Sequence, residues 1–348
     1  MATDNPPAND GTTTGGAPAG LRRHRSFDRL FRPGALTFGF ILPLEAYAET
    51  DMPTMSDHAE MARMADQAGF AALWLRDVPL RDPGFGDTGQ IFDPFVYAGW
   101  LAGQTQRIAI GTAGIVLPLR DPLIVAKQAS TVDQLAGGRL ILGLSTGDRP
   151  VEYPAFGLEF ANRAERFRDA VDIVRTTTRD AFPRHVSDHY GRLDGSLDLV
   201  PKPAAERLPL VAVGRCGQTM EWLAANLDGW LWHQSDFRGL ADITREWRDA
   251  VGPDRYKPYG YGHWLDLLED PDAPLQVGRG VRTGRKALID LWKRQRDEGV
   301  SHIAINLRIS QRPARQVLDE LGEHVLPVFP AADTTSPAHD RRPRLPVA

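Results

Sequence analysis

Residues 107–148 read RIAIGTAGIVLPLRDPLIVAKQASTVDQLAGGRLILGLSTGD. An apolar run over 107–112 precedes a helical pattern over 122–136, and a second apolar run covers 139–144. Asp121 is an N-cap residue, and Pro122 suits the first helical position, where its missing N–H costs nothing. Val125, Ala129, Val132 and Ala136 form one apolar stripe, spaced 4, 3 and 4. Gly137 and Gly138 end the helix. Strand, crossover helix and strand make a βαβ unit, and such units pair their strands in parallel. The strand ends carry Gly, Ser, Thr and Asp, which a ligand needs and a plain core does not.

The same alternation continues outward. Further strands are predicted over 36–44, 71–77, 209–214, 229–233, 259–268 and 302–307. Helices are predicted over 56–68, 93–103, 163–178, 218–226 and 283–298, with a last one ending near 326. Ser56 and Asn162 are the expected N-caps of two of them, Glu165 completing a capping box with Asn162, and Gly69 is the expected αL stop. Residues 180–208 are polar and Pro-containing, and read as an inserted loop or small hairpin. Eight βα units predict an α/β (β/α)8 TIM barrel with an insertion after the fourth unit; a doubly wound open sheet is the alternative. Residues 1–35 read as a disordered or loosely docked leader reaching back through Phe27, Leu30 and Phe31, 36–330 as the barrel, and 331–348 as a disordered tail.

At 348 residues and a net charge of −4, the chain has no broad basic face for nucleic acid. Its apolar runs fall short of the roughly 20 residues that span a bilayer, and no polybasic segment suggests a membrane surface. The single cysteine, Cys216, excludes an internal disulfide and a CxxC metal site, so the cytoplasm is the expected compartment. The nine histidines form no HxH or HExxH pattern. His185 and His189 are four apart, but Pro183 and their polar surroundings make them surface histidines rather than metal ligands. No metal site is expected.

Barrel ligands sit at the C-terminal strand ends. Those ends carry Arg76, Asp77, Ala113, Gly114, Ser145, Thr146, Gly147, Asp148, Arg215, Cys216, His233 and Asn306. GLSTG, residues 143–147, matches the GxSxG nucleophile elbow, which predicts a serine hydrolase; Pro150 and Pro154 oppose the helix that elbow needs. Small residues that admit a flat ligand or its phosphate are the other reading. GRCGQT, residues 214–219, closes a strand and opens a helix. Backbone N–H groups, Arg215 and the Thr219 hydroxyl suit a phosphate there, and a plain capped loop is the alternative. Trp230 and Trp232 share one strand face, in the core or at the barrel mouth.

The run IVLPLRDPLIVAKQASTVDQLAGGRLILGLSTGD, with DRPVEYPAFG, NRAERFRDAVDIVR and GRCGQTMEWLAANLDGW, resembles the bacterial luciferase-like flavin-dependent monooxygenases, in particular their luciferase-type oxidoreductase subgroup. The resemblance covers about residues 36–327. It implies a commonly dimeric barrel that binds reduced FMN, usually supplied by a separate flavin reductase, and uses O2 to oxygenate a small organic substrate. It places Thr146, Gly147, Asp148, Arg215, Cys216 and Thr219 near the flavin phosphate. It puts Ala113 and Gly114 at a non-prolyl cis peptide under the flavin ring. Three features depart from the luciferases: Arg215 stands where they carry an acidic residue, Val78 stands where their catalytic histidine lies, and Asp121–Pro122 replaces their His-Pro. The catalytic residue is therefore unknown, with Arg76, Asp77 and His233 as candidates from position. A dehydrogenase or reductase using the deazaflavin cofactor, and a non-catalytic flavin-binding barrel, are the alternatives.

Overall fold

Eight parallel strands close on themselves in the computed structural model, which describes residues 20–21, 24–234 and 236–330. They are β1 (Thr37–Ile41), β2 (Ala72–Leu75), β3 (Ala109–Thr112), β4 (Leu140–Ser145), β5 (Leu210–Val213), β6 (Gly229–His233), β7 (Tyr259–Leu267) and β8 (His302–Asn306). Each pairs with the next, and β8 returns to β1, with Thr37 opposite His302. The helices that follow them are α1 (His58–Ala68), α2 (Pro94–Gln104), α3 (Pro122–Leu135), α4 (Arg163–Arg179), α5 (Met220–Asn226), α6 (Leu240–Val251), α7 (Arg285–Asp297) and α8 (Ala314–Glu320). This is the (β/α)8 barrel expected from the alternation. The insertion after α4 holds an antiparallel hairpin, Arg184–Ser187 with Gly191–Asp194. Among the described residues no helix is long and apolar enough to cross a membrane.

Local chemistry explains most helix starts. Asp93 and Asp121 each accept two backbone N–H groups and precede a proline. Two expected caps differ. Asp57, not Ser56, stands at the start of α1, in the left-handed region. Asn162 makes no cap bond, because a 3-10 turn, Phe160–Asn162, runs straight into α4 and leaves its backbone near-helical. The sequence reading also passed over α6. Its stripe of Leu240, Ile243, Trp247 and Val251, spaced 3, 4 and 4, is clear, but five charged residues lie between those positions.

Alternate residues of each strand face inward, and glycines make room for a few large ones. Gly111 would place a Cβ 2.3 Å from the Trp74 ring. Trp74 fills the middle of the barrel, fully buried. Its indole Nε1 can only donate, and it donates to His302 Nε2 at 2.8 Å. The His302 proton must therefore sit on Nδ1, which faces Thr37 Oγ1 at 2.8 Å, and that hydroxyl donates to Leu30 O at 2.8 Å. Burial holds the His302 pKa down to about 3, so the ring stays neutral and the chain of donors is complete.

Leu30 belongs to a single helical turn, Phe27–Leu30, that closes the barrel bottom. Leu21, Phe27, Leu30 and Phe31 are buried against Ala72, Ile141, Val211 and Ala304. Phe27, Leu30 and Phe31 are the residues through which the leader was expected to reach back, and the open barrel end is where these three large apolar side chains bury. The rest of that leader and the expected tail over 331–348 lie outside the described residues, apart from residues 20–21.

The insertion hairpin is pinned to α4 by Asp169, which accepts from Ser187 Oγ and lies 3.4 Å from His185 Nε2 and 3.2 Å from His189 Nδ1. Burial works to raise this carboxyl, but those three hydrogen bonds outweigh it and hold its pKa below the usual value. Such a group contributes stability above its unfolded pKa and loses it as pH falls through the folded one. Asp169→Asn is expected to speed amide hydrogen exchange across 184–194 at pH 7 at least fivefold. The difference from wild type should begin to shrink only below about pH 4 and vanish as pH falls through the lower folded-state pKa, where wild-type Asp169 becomes protonated. Equal exchange at pH 7 would show that the hairpin is held by other contacts.

Candidate functional site at the barrel mouth

The upper end of the barrel is ringed by the last inward positions of its strands. Ile41, Arg76, Ala113, Ser145, Val213, His233, Trp264 and Asn306 continue the alternation that buries Trp74, Gly111, Gly143, Leu231 and Ala304 below them. Of the predicted residues, Arg76, Ala113, Ser145, His233 and Asn306 reach the mouth together. Trp264 was not singled out, although it lies two positions beyond inward-facing Gly262. Its ring meets His233 edge-on at 5.7 Å.

Arg76 is not free. Its guanidinium donates to Asp87 Oδ2 at 2.6 Å. Asp87 also accepts from Tyr47 Oη and Gly89 N, and Arg308 Nε lies 3.8 Å away. Burial works to raise the Asp87 carboxyl, but Arg76, the Gly89 N–H and Arg308 together hold it below the carboxylate range. Arg149, 4% exposed, donates to Asp87 O and lies over the Phe85 ring at 4.0 Å. Three separate loops thus meet on one carboxylate above the barrel, and a fourth, through Arg149, on the main-chain carbonyl of the same residue. His233 stands at the edge of this network, open to solvent on one side. Burial of the rest of its ring and the charge of Arg76 lower its pKa, so it is neutral at pH 7 and can accept a proton.

Asp77 points elsewhere. Its carboxylate accepts both Arg120 Nε (2.9 Å) and Nη2 (2.7 Å), and Val116 N at 3.0 Å. The partner of this buried acid is Arg120, just before the altered Asp121–Pro122, and not its neighbour Arg76. With its oxygens so occupied, it ties the segment after β3 to the end of β2.

The Ala113–Gly114 step is a correction: the cis peptides among the described residues are Leu42–Pro43 and Val200–Pro201. Gly114 turns the chain instead with φ +101°, a conformation open to glycine without a cis bond. A Cβ there would lie 2.7 Å from Ser145 Cβ. Ser145 Oγ donates to Gly114 O and Ile115 O at 3.1 and 3.3 Å and accepts from Gly147 N. None of these partners is a base, and the residues after it form a 3-10 helix, Pro150–Phe156, rather than the α-helix of a nucleophile elbow. Thr146 is buried with its carbonyl taken by Tyr153 Oη at 2.7 Å, and Asp148 is exposed at the rim.

The loop from Gly214 to Thr219 carries three left-handed residues, Gly214, Cys216 and Gly217. Among the described residues, the N–H groups of Arg215, Cys216, Gly217 and Thr219 make no hydrogen bond within the chain. A concave run of free N–H donors of this kind suits an oxyanion. The Cys216 thiol is turned the other way: it is buried, donates to Leu144 O at 3.4 Å, and burial raises its pKa to about 12, so only its backbone serves the loop. Thr219 Oγ1 caps α5 by accepting from Trp222 N, and its hydroxyl also hydrogen-bonds the Glu221 carboxylate. Arg215 lies over Trp230 at 5.1 Å and 3.6 Å from Glu246, so its charge is partly matched. Trp230 itself is core: it is buried beside Trp247 and donates to Gly214 O. Among the described residues, no three His, Cys, Asp or Glu side chains are grouped to hold a metal.

A barrel with its polar groups gathered at this mouth has the architecture of a (β/α)8 enzyme. The luciferase-like monooxygenase family profile matches residues 36–259, and the chain belongs to that family. It is 28% identical over 294 residues to 4-hydroxyprotoasukamycin monooxygenase of Streptomyces nodosus subsp. asukaensis, covering 82% of this chain and 76% of that protein. It is 22% identical over 225 residues to the alkanal monooxygenase alpha chain of Photorhabdus luminescens, covering 63% of this chain and 60% of the other. A monooxygenase from Streptomyces bottropensis shares the fold with a TM-score of 0.71 at 17% identity, over 84% of this chain and all (100%) of that one. An F420-dependent secondary alcohol dehydrogenase shares it with a TM-score of 0.69 at 19% identity, over 84% and 99%.

Proposed function

We propose that this protein is a flavin-dependent monooxygenase that uses reduced FMN and O2 to oxygenate a small organic substrate. The observation that carries the reading is the run of free N–H groups at Arg215, Cys216, Gly217 and Thr219, beside a mouth edged by small residues. A phosphate monoester fits this donor set, with Arg215 adding to the backbone and the Thr219 hydroxyl turning from Glu221 to the phosphate on binding. Ala113, Gly114, Thr146, Gly147 and Asp148 border the space for the ring. The bound flavin supplies the redox chemistry toward oxygen. The chain binds, orients and excludes water: Arg149 and the Asp87 network close over the mouth, and neutral His233 takes up a proton at a ring nitrogen. Burial, with the charge of Arg76 adding to it, holds His233 neutral, and Arg76 is a positioning residue.

The surroundings of Arg215 favour FMN over the deazaflavin cofactor. A long acidic tail calls for a broad basic groove, whereas Glu246 and Glu221 lie beside this arginine. A separate reductase is the proposed source of reduced flavin. A homodimer is supported by α2, whose inner face is core yet whose outer face carries Val96 and Trp100, 73% and 38% exposed. A helix apolar on both sides calls for cover.

The test is an anaerobic titration of the protein with reduced FMN and, separately, the deazaflavin cofactor, followed by absorbance and fluorescence. Reduced FMN is expected to bind, and Gly114→Ala to weaken it at least tenfold through its clash with Ser145. Binding of the deazaflavin alone would replace the proposal with a dehydrogenase or reductase. Binding of neither would remove both, and FMN binding without oxygen consumption across a substrate panel would leave a non-catalytic flavin barrel.

A further inference from the structure

At the opposite end of the barrel from the mouth, a cavity of about 640 Å³ opens between the end of α6, the segment 252–258 and the end of α7. Five of its lining side chains are cationic and one, Asp249, is acidic. Arg245 and Arg296 have carboxylate partners on their own helices, Asp242 and Asp297. Arg248 and Arg255 have none among the described residues; Arg248 only donates Nε to Thr244 O at 3.3 Å. Lys257 directs its ammonium to two carbonyls at the end of α5, Ala224 O and Leu227 O. Its pKa falls to about 8, chiefly through burial, with Asp228 opposing and Arg255, Arg207 and Arg175 adding to the fall. The positive potential here is thus not cancelled by the protein's own acids.

The remaining wall is aromatic. Trp247 and Tyr259 are buried, and Tyr256 shares a hydrogen bond with Ser301 Oγ at 2.7 Å. Tyr259 is 2% exposed, and among the described residues its hydroxyl has no hydrogen-bond partner. That oxygen is sealed from solvent, so it takes no part in the cavity wall. Two exposed, unmatched guanidiniums beside the part-exposed Tyr256 define one chemistry.

We infer that this lower cavity is a second binding site, taking a multivalent phosphate anion, free or as the head of a small organic molecule, on Arg248 and Arg255. Guanidinium pairs with phosphate oxygens in a two-pronged, charge-assisted manner, and the part-exposed Tyr256 ring offers a surface to an organic body. The site lies outside the barrel and does not depend on which cofactor the mouth takes.

The full-length protein is titrated at low ionic strength with inorganic pyrophosphate and, separately, AMP, following tryptophan fluorescence and Tm. Trp247 in the wall, 5.6 Å from Trp230, is the reporter. Saturable binding with a rise in Tm is expected, weakened at least tenfold in the double variant Arg248→Gln/Arg255→Gln. Arg245→Gln, whose charge Asp242 already matches, should change it less than twofold. The double variant should match the wild-type Tm without ligand, which separates lost binding from lost folding. AMP bound more than tenfold tighter than inorganic pyrophosphate assigns an organic ligand; pyrophosphate bound as tightly or more tightly assigns the free anion. No saturable binding, wild-type affinity in the double variant, or displacement by reduced FMN would overturn the inference, the last by moving the anion to the mouth.

Discussion

Trp74→Ala is expected to lower the unfolding free energy by about 3–5 kcal/mol, the range for deleting a buried indole. The ring is fully buried in the middle of the barrel, and Gly111 is small because the ring lies against it. Truncation opens a cavity that eight hydrogen-bonded strands cannot close, and it also leaves His302 Nε2 without its donor. Trp74→Phe separates the two effects. It restores much of the volume but not the hydrogen bond, and should cost about 1–3 kcal/mol. Urea unfolding at pH 7 measures both. A loss below 1 kcal/mol in Trp74→Ala would mean that the barrel centre is not held by this ring.

Asp77→Ala is expected to cost about 3 kcal/mol, because it leaves the Arg120 guanidinium without the carboxylate that it meets with two nitrogens. Burial works to lower the Arg120 pKa, but hydrogen bonds and charge from Asp77, with Asp93 adding, hold it above its ordinary value. Replacing both partners removes the stranded charge, so Asp77→Ala/Arg120→Met should recover more than half of the loss in a double-mutant cycle. The outcome also separates two roles for Asp77. A catalytic acid would lose turnover while its Tm stayed unchanged, and that result would return Asp77 to the reaction. A structural acid loses stability, and activity falls only with the folded fraction.

Much of the fold was legible from short-range chemistry. The strands of the 107–148 unit, its Asp121 cap and its glycine stop depend on neighbours within a few positions. The same holds for Gly69, which ends α1 at φ 95°. Legibility failed where the deciding partner was remote. Asn162 has a capping side chain, but the 3-10 turn before it removes the backbone geometry a cap requires. Asp77 stands next to an arginine in sequence and pairs with one 43 positions away. The luciferase resemblance suggested a cis bond at Ala113–Gly114, yet a glycine at positive φ makes the turn.

The candidate site divides in the same way. That ligand chemistry gathers at the strand ends follows from parallel βα order, and the free N–H groups of the GRCGQT loop follow from its glycines. The convergence of Tyr47, Arg76, Asp87 and Arg308 on one network does not, since those loops are joined only by barrel closure.

The sequence by itself determined the order and type of the elements in the run 107–148 and its neighbours. Periodicity, caps and glycine stops act over one helical turn or one strand, and they are written in adjacent residues. Only the tertiary structure decided which residues share a layer. Trp74 and His302 are 228 positions apart, and their bond exists because β1, next to both β2 and β8, brings the two strands together across the barrel. Closure converts a list of strand ends into a ring, and the distances around that ring set which charges are matched and which are left for a ligand.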